Sequence, residues 1–353
     1  MKKNIFINVV LSLLICSCAS KTEGVIAEKS FTGISQNFKG TDYIVLPSGT
    51  NGSVGTDSIY VLFGDWPQSE KSADITIDET EKENIGMFTY YKGKDDFWYA
   101  KVQEKYYKVE PIKWRIVTEN YKGKKLLFCE STLINCQWYD YYVNRIIKGK
   151  EIIPNNYEHS KIRAFLNGLS YTVKPDKTSE QIENSDFLNK GFLQTAFTPE
   201  LQKRIETTIV DNSRSSIYEN SSSVSPKAND NPGCANTKDK IFLLSEKEVT
   251  TLEFGFEDLK KNGLKSSRFR EPTAFAIANG SSYDGFYPEK MEGFKGLKND
   301  FCWWRHGGFW WSRSPEVVNK GSARNVRNVG DADDAYNVGH TSLGVVPALT
   351  IKN

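Results

Sequence analysis

The sequence predicts an α+β fold that is rich in loops and built mainly from antiparallel strands. Short aromatic and aliphatic runs separated by turn residues fill the first third of the chain, which is typical of antiparallel hairpins. Capped amphipathic helices are predicted in the middle, and a loop-rich C-terminal half closes on the apolar run GVVPALTI. Because strands and helices do not alternate as βαβ units, no parallel sheet is expected.

The composition allows one large folded domain. The chain has 353 residues, of which 39% are hydrophobic and 13% aromatic, so a sizeable core is available and wholesale disorder is excluded. The formal net charge is +2, and Lys2 and Lys3 lie in a segment that we expect to be removed. The near-neutral remainder argues against nucleic acid as a partner.

A lipoprotein signal is predicted at the N-terminus. A basic start followed by a short apolar run over residues 1–17 is typical of a secretory signal peptide. Cys18 follows the small Ser17, as in the bacterial lipobox, whose cysteine becomes the lipidated N-terminus; an ordinary signal peptide is the alternative. Residues 18–40 then form a polar tether and residues 41–353 a single domain, attached to the membrane through lipid alone.

The first third of the domain is predicted to form strands. The runs DYIVL, IYVLFG, MFTYYKG and FWYAKV are separated by turn sequences such as GTNGSVG and GKDD. KVEPIKWRIV and KKLLFCES are expected to form a further hairpin, joined at ENYKGK.

Two helices are well marked in the middle of the chain. Ser160 is the expected cap of the first helix, which ends at Gly168. Thr198 and Pro199 begin the second helix. The predicted apolar faces are Ile162, Phe165 and Leu166 in the first helix, and Leu201, Ile205 and Ile209 in the second.

Shorter elements follow a Ser/Asn/Pro-rich loop over residues 211–236. KDKIFLLS is predicted as a strand and PTAFAIANG as a short helix. Ser245 and Glu248 have the spacing of a capping box that opens another short helix.

Four cysteines follow Cys18 in the chain: Cys129, Cys136, Cys234 and Cys302. Export would permit a disulfide between Cys129 and Cys136 across the stretch ESTLIN, and buried free thiols are the alternative. No CxxC motif or Cys/His cluster supports a zinc site. We therefore expect no metal and no cofactor.

The segment from Gly321 to Leu343 is the candidate ligand-binding surface within the C-terminal stretch 301–353. A strand pair with a turn near Gly330 to Asp334 would place its polar side chains on one solvent-facing side, above small apolar anchors. Such hydrogen-bonding groups resemble those of antibody binding loops. The candidate residues are Arg324, Asn325, Arg327, Asn328, Asp331, Asp333, Asp334, Tyr336, Asn337 and His340.

The residue types in this segment suggest diversification. They can be reached from an Asn AAC codon by changing its adenines, whereas Lys, Glu, Gln, Met and Trp cannot, and none of these five occurs over residues 321–343. Turn-rich strands also favour Asn, Asp and Gly, so a merely solvated hairpin is the alternative. The acidic cluster Asp331, Asp333 and Asp334 lacks the spaced ligands of a known calcium loop and is interpreted as a solvated turn.

Catalytic motifs are lacking in the sequence. His159, His306 and His340 are the only histidines, and none lies in a metalloprotease, serine hydrolase or cysteine–histidine context. Arg313 lies between a tryptophan pair and a proline, where an arginine is expected to bond loop carbonyls and serve the structure.

The ordered series IKWRIV, SKIRAFLNG, FTPELQKRIETT, KDKIFLLSEKEV, EPTAFA, FWWSRSP and GVVPAL resembles a widespread domain of bacterial surface proteins, marked by WW-x-RSP and GV-x-PAL. The similarity covers roughly residues 59–353. The N-terminal signal, FGDWPQS and MFTYYKG further resemble the treponeme variable lipoproteins. FCWWRHGG duplicates the WW element, and we assign the family's core position to Trp310 and Trp311, next to Ser312.

The resemblance implies a C-type-lectin-like fold of the formylglycine-generating-enzyme type and, in some members, a C-terminal segment diversified by retroelements. The expected protein is lipid-anchored in the cell envelope, at the outer membrane and surface-exposed, and binds a protein or carbohydrate ligand without catalysis. The sugar-binding triplets of calcium-dependent lectins are missing, so a lectin fold does not imply lectin activity.

Two alternatives to this function remain at the sequence level. One is an oxidase-like enzyme related to the formylglycine-generating enzyme, which works through a cysteine pair near its C-terminus; here Cys302 has no second cysteine after it. The other is a structural envelope lipoprotein.

Overall fold

The structure is a computed structural model that describes residues 44–46, 60–134, 138–173, 183–217, 233–257, 266–279, 308–327, 330–332, 334–340 and 343–353. Antiparallel strands dominate this part of the chain and helices are few and short, which confirms the antiparallel, loop-rich part of the prediction. No helix in it is long and apolar enough to span a membrane.

The strands in chain order are β1 (Ile44–Leu46), β2 (Tyr60–Glu70), β3 (Ile77–Ile85), β4 (Phe88–Gly93), β5 (Trp98–Val102), β6 (Lys105–Tyr121), β7 (Lys124–Cys129), β8 (Ser131–Thr132), β9 (Arg145–Ile147), β10 (Lys150–Ile152), β11 (Ser170–Val173), β12 (Glu183–Asp186), β13 (Ile205–Glu206), β14 (Thr208–Val210), β15 (Thr237–Asp239), β16 (Ile241–Phe242), β17 (Glu271–Pro272), β18 (Trp310–Pro315), β19 (Ser322–Val326), β20 (Asp334–Asn337) and β21 (Ala348–Ile351). The α-helices are α1 (Lys161–Asn167), α2 (Phe192–Ala196), α3 (Pro199–Arg204) and α4 (Ala274–Asn279), and 3₁₀ turns lie at Tyr157–His159, Arg214–Ser216, Glu248–Thr250 and Leu252–Phe254.

A ten-stranded sheet is the centre of the fold. Its main path runs β13-β21-β7-β6-β5-β4-β3, with β2 on β6, β1 on β2 and β16 on β21. The strands predicted in the first third all lie here, and the β6–β7 hairpin has the expected antiparallel pairing. The C-terminal strand β21 pairs with β7 and also with β13 and β16, so the end of the chain is built into the main sheet.

Aromatic side chains fill the core on this sheet. Trp66 and Trp114 are fully buried. Each indole N–H donates to a backbone carbonyl, at 3.2 Å for Trp66 and 2.7 Å for Trp114. The ring of Trp66 contacts Phe192 of α2 and Phe275 of α4, so the short helices pack on the sheet through aromatic contacts. A satisfied indole can be buried without loss of a hydrogen bond, which permits such a dense aromatic core.

The first predicted helix is confirmed together with both of its ends. The Ser160 side chain accepts a hydrogen bond from the Arg163 backbone N–H, and Gly168 ends α1 in the left-handed conformation at φ 65°. The helix predicted in PTAFAIANG forms as α4, whereas the single strand predicted in KDKIFLLS is divided into two short strands of different sheets, β15 and β16.

The second helix is shorter than predicted. Thr198 caps α3 and Pro199 occupies its first turn, but the helix ends at Arg204. Ile205, assigned to the helical face, instead pairs with Ile351 as part of β13. Ile209 belongs to β14 and is 56% exposed, so it is not a core residue. The β-branched run IETTIV favours strands, and tertiary pairing with β21 overrides the helical spacing.

Strand β3 was not predicted from the sequence. Its nine residues, IDETEKENI, are mostly exposed and charged, so they show no apolar alternation. β3 ends the path of the large sheet, paired on one side with β4. Charged side chains at a sheet edge discourage pairing with other molecules, which explains this composition.

Candidate functional site

The candidate ligand-binding segment, Gly321 to Leu343, forms part of a separate three-stranded sheet in the order β18-β19-β20. Trp310 and Trp311 open β18 and are both fully buried, against Phe128 and Tyr139 respectively. Both tryptophans are therefore core residues of this chain. Trp303 and Trp304 lie outside the described residues.

The predicted hairpin between β19 and β20 is confirmed. Ser322 to Asn325 pair with Asn337 to Asp334. Small apolar residues of the segment were expected to anchor the hairpin. Of these, Ala323, Val326 and Val338 are buried, Ala335 is half-buried and Val329 is not described.

Arg313 fixes this sheet to the segment around Glu248. Its guanidinium reaches the Glu248 carboxylate at 2.5 and 3.0 Å and donates to the carbonyls of Asp211 and Leu243. The structural role expected for this arginine is therefore supported by its contacts. Burial raises the pKa of Glu248, but the charge and hydrogen bonds of Arg313 outweigh it, and the pKa of Glu248 lies below its usual value.

The capping box predicted at Ser245 and Glu248 positions this carboxylate. The Ser245 backbone N–H donates to the Glu248 carboxylate at 2.9 Å, and the Glu248 N–H donates to Ser245 Oγ at 3.1 Å. The element that follows is a single 3₁₀ turn, Glu248–Thr250. The same carboxylate that closes the capping box thus also pairs with Arg313.

Arg324 was predicted to face solvent, and this placement is wrong. Arg324 is 3% exposed, and its guanidinium lies between two carboxylates, Glu246 at 2.8 Å and Glu316 at 3.1 Å. A buried guanidinium requires such partners, since an uncompensated charge in the interior is costly. Arg324, like Arg313, therefore joins this sheet to the segment around Glu248, through its ion pair with Glu246.

Asn325 is also buried, contrary to its predicted exposure. It is 1% exposed and lies opposite Trp311 on one neighbouring strand and Asp334 on the other. Neither its amide oxygen nor its amide nitrogen has a hydrogen-bond partner. An unsatisfied buried polar group costs about 1–3 kcal/mol, so this asparagine lowers stability.

The turn between β19 and β20 carries charged groups at the surface. Arg327 is exposed and pairs with Asp331 at 3.5 Å and Asp334 at 3.8 Å. Gly330 has φ +83°, and an added Cβ would lie 2.5 Å from the Ser266 side chain, so the turn requires glycine there. Asn328 and Asp333 lie outside the described residues.

Three aromatic rings form a half-buried row beside this turn. Tyr336 contacts Phe309 at 5.7 Å between ring centroids and His340 at 4.8 Å. Burial lowers the pKa of His340 below its usual value, which favours the neutral form of the ring. Burial also raises the pKa of Asp334. Asn337 is exposed, and its side-chain oxygen accepts from the Gly339 N–H at 2.9 Å.

We name the residues Arg327, Asp334, Tyr336, Asn337 and His340 the display surface. These five predicted site residues are exposed or half-exposed on or beside the hairpin. Asp331, a further half-exposed candidate, lies in the turn and is not counted in the display surface.

An aromatic group next to the hairpin was missed at the sequence level. Trp138 and Tyr141 contact each other at 4.8 Å with the Lys161 amine above both rings, and Tyr142 is 56% exposed. The Asp140 backbone N–H between them donates to the Val338 carbonyl at 3.2 Å, so this loop lies beside β20. The run WYDYY is rich in aromatics, but no spacing links it to the C-terminal segment.

The described cysteines do not form a nucleophilic site. Cys129 and Cys234 are free thiols, so the proposed bridge from Cys129 is not formed. Burial raises the pKa of Cys129 to about 12 and that of Cys234 to about 11, which keeps both thiols protonated at neutral pH. Cys136 and Cys302 lie outside the described residues. Within the described ranges, no group of three His, Cys, Asp or Glu side chains has a metal-binding arrangement.

The Arg313–Glu248 pair gives the chain a specific acid sensitivity. Because the folded-state pKa of Glu248 lies below the usual 4.5, its contribution to stability is present above that value and is lost as the pH falls through the folded-state pKa. At pH 7, Glu248→Gln is expected to be about 3–5 kcal/mol less stable than the unchanged chain. The difference in unfolding free energy between Glu248→Gln and the unchanged chain should become smaller below about pH 4.5. Denaturant unfolding of both proteins across this pH range measures it, and a pH-independent difference would contradict the role of the carboxylate.

Comparison with known proteins gives one match. Residues 122–353, more than half of the chain, match the family described as a domain of unknown function, DUF6273. The match begins in the β6–β7 turn and includes the whole sheet β18-β19-β20. No curated protein and no solved structure matches the chain.

Proposed function

Since the chain belongs to the DUF6273 family, we propose that it is a recognition protein that binds a protein or carbohydrate ligand through the display surface. One observation supports this proposal: the same small sheet has arginines buried in ion pairs and polar side chains at its surface. Arg313 and Arg324 are held in ion pairs inside the protein, whereas the display surface lies on or beside the hairpin that they fix.

This division suits a surface whose side chains change without loss of the fold. Buried ion pairs and tryptophans determine the position of the backbone, so exposed neighbours contribute little to stability. The surface groups are Arg, Asp, Tyr, Asn and His, which supply hydrogen bonds and a rigid ring to a ligand. Binding on a preformed backbone avoids much of the entropy cost of ordering a loop.

The unsatisfied amide of Asn325 supports a functional reading of the hairpin. A sheet selected only for stability would gain by replacing this buried asparagine with an apolar residue. Exposed Tyr142 and its neighbours beside β20 add aromatic contact area next to the display surface. Rigid aromatic side chains of this kind often provide much of the binding energy at interfaces.

The proposed setting is the cell surface. The signal over residues 1–17 and the lipobox-like Cys18 support attachment to the envelope through lipid, probed by metabolic labelling with a fatty acid and by Cys18→Ser. The sequence resemblance to variable lipoproteins supports a C-type-lectin-like fold of the formylglycine-generating-enzyme type. The antiparallel, loop-rich architecture with few helices is compatible with this fold.

A display-surface variant tests the proposal. We define the face variant as Arg327→Ser, Asp334→Asn, Tyr336→His and Asn337→Asp. The substitutions at 334 and 337 keep a side-chain oxygen that can accept the local backbone hydrogen bonds while the charge pattern changes. Arrays of glycans and of proteins are probed with the full chain in detergent and with the face variant.

We expect the unchanged chain to bind a small set of array members and the face variant to lose at least tenfold in affinity for them, about 1.4 kcal/mol. Lys82→Ser on the exposed edge strand β3 serves as the matched control and should bind normally. The proposal fails if the unchanged chain binds nothing, or if the face variant binds the same members equally well.

A further inference from the structure

Two buried arginines, one on the large sheet and one just before β17, lie at the same backbone carbonyl. Arg115 of β6 is 6% exposed and Arg270, just before β17, is 3% exposed. Both donate to the Ser267 carbonyl, Arg115 at 3.2 Å and Arg270 at 2.9 Å. Phe256 and Phe128 lie against the two guanidiniums, at 5.0 and 4.6 Å from the ring centroids. The two cationic groups are thus held in fixed planes next to each other.

These arginines share a single carboxylate at long range. Glu130 Oε1 is 3.6 Å from Arg115 Nε and 3.4 Å from Arg270 Nη2. None of these three buried atoms has a hydrogen-bond partner. The site therefore has two buried nitrogen atoms without a hydrogen-bond acceptor, both within 3.6 Å of the same carboxylate oxygen.

Three of the other buried arginines in the described ranges are paired differently, whereas Arg268 donates to backbone carbonyls. Arg313 contacts Glu248 at 2.5 Å, Arg324 contacts Glu246 at 2.8 Å, and Arg145 contacts Asp140 at 2.5 Å. In each of these cases, one arginine has its own carboxylate within hydrogen-bond distance. The loose sharing at Glu130 is therefore a local property of this site.

The local charge balance is positive. Besides Arg115 and Arg270, Lys113 lies on the same strand two residues from Arg115, with its amine 4.0 Å above the Tyr60 ring. Against these three cations stands Glu130. The next carboxylate, Glu257, already accepts hydrogen bonds from Ser267 and lies near Arg268.

The pKa shifts of Arg115 and Lys113 agree with this excess of positive charge. Burial, and next the positive charge of Arg270, lower the pKa of Arg115 to about 10, and Glu130 only partly opposes them. Burial likewise lowers the pKa of Lys113, against the influence of Glu130. Additional negative charge at this place would stabilise both cations.

We propose that Arg115 and Arg270 form the floor of a binding site for a tetrahedral oxyanion, a phosphate or sulfate group, next to Glu130 and Lys113. The anion accepts hydrogen bonds from the N–H groups of the two arginines that have no other acceptor, and its charge compensates the excess positive charge. Planar guanidiniums in fixed orientation are well suited to such groups, and Lys113 adds a point charge. Glu130, at 14% side-chain exposure, is the edge of the site and competes with the anion for the arginines.

Titration with inorganic sulfate and phosphate tests this site. Calorimetry is carried out on the full chain in a chloride buffer free of oxyanions, at constant ionic strength. We expect saturable binding of one anion per chain. Glu130→Gln removes the competing charge and should bind the anion about tenfold or more tightly. Arg270→Lys keeps the charge but loses the planar donors, and should bind at least tenfold more weakly.

Thermal unfolding of the same variants shows whether each of them is still folded. Glu130→Gln should have a lowered Tm without sulfate and recover more on sulfate addition than the unchanged chain does. Arg327→Ser, an exposed arginine on the display surface, is the matched control and should bind sulfate normally. Methyl phosphate distinguishes the possible sources: equal binding fits a group carried on a larger ligand, and loss of binding fits the free ion.

Three results would overturn the assignment. These are no saturable sulfate or phosphate binding in either the unchanged chain or Glu130→Gln, binding that is unaffected by Arg270→Lys, and acetate binding as tightly as sulfate. The site is independent of the proposed recognition function, since the face variant should retain sulfate binding even where array binding is lost.

Discussion

The Arg313→Met variant is expected to lose about 3–5 kcal/mol of unfolding free energy, the usual cost of removing one partner from a buried ion pair. Its guanidinium joins the Glu248 carboxylate to the carbonyls of Asp211 and Leu243. Methionine supplies no hydrogen-bond donor, so the Glu248 carboxylate, whose side chain is only 14% exposed, would keep only its contacts to Ser245 and Tyr121. Denaturant unfolding monitored by tryptophan fluorescence measures the loss.

Arg327→Met is the matched control for this variant. It makes the same chemical change at an exposed arginine of the same sheet, whose partners Asp331 and Asp334 lie at 3.5 and 3.8 Å. Exposed pairs of this kind contribute about 0–1 kcal/mol, so the control should be nearly as stable as the unchanged chain. Equal losses in the two variants would show that Arg313 does not hold the sheet in place.

Arg324→Met is expected to lose a similar amount, about 3–5 kcal/mol. Two carboxylates, Glu246 and Glu316, lie within 3.1 Å of its guanidinium. Without it, two negative charges would be buried beside each other, so part of the loss should be recovered by adding Glu246→Gln. A double-mutant cycle of Arg324 and Glu246 measures this coupling.

This result would also decide the role of Arg324. If the residue served ligand binding at the surface, as its position in the polar segment suggested, Arg324→Met would leave stability within about 0.5 kcal/mol of the unchanged chain. Asn337→Ala, at an exposed position on the neighbouring strand, supplies that reference value.

Local signals in the sequence were sufficient for caps, turns and hairpins. Ser160 with Gly168 and Ser245 with Glu248 are local patterns whose hydrogen bonds form within a few residues, so spacing alone identifies them. The pairing of β19 with β20 was predictable for the same reason, because a polar glycine-containing turn separates two short strands.

Contacts between distant segments were not predictable. Arg324 appears in the sequence as one polar residue among many, and only Glu246, 78 positions away, shows that it is buried. Ile209 matches helical spacing, but pairing of the preceding Ile205 with Ile351 ends the helix. The site formed by Arg115, Glu130 and Arg270 likewise joins three segments whose sequences carry no common motif. One sequence contains no signal for such pairings.

The most direct test compares the unfolding free energies of the face variant and of Arg324→Met within one set of denaturant titrations. If the hairpin is a fixed support for a changeable surface, the four substitutions of the face variant should together cost no more than about 2 kcal/mol, since single surface changes are usually within 0.5 kcal/mol. The single change at Arg324 should cost more than all four. A face variant that unfolds as readily as Arg324→Met would contradict the division between buried support and display surface.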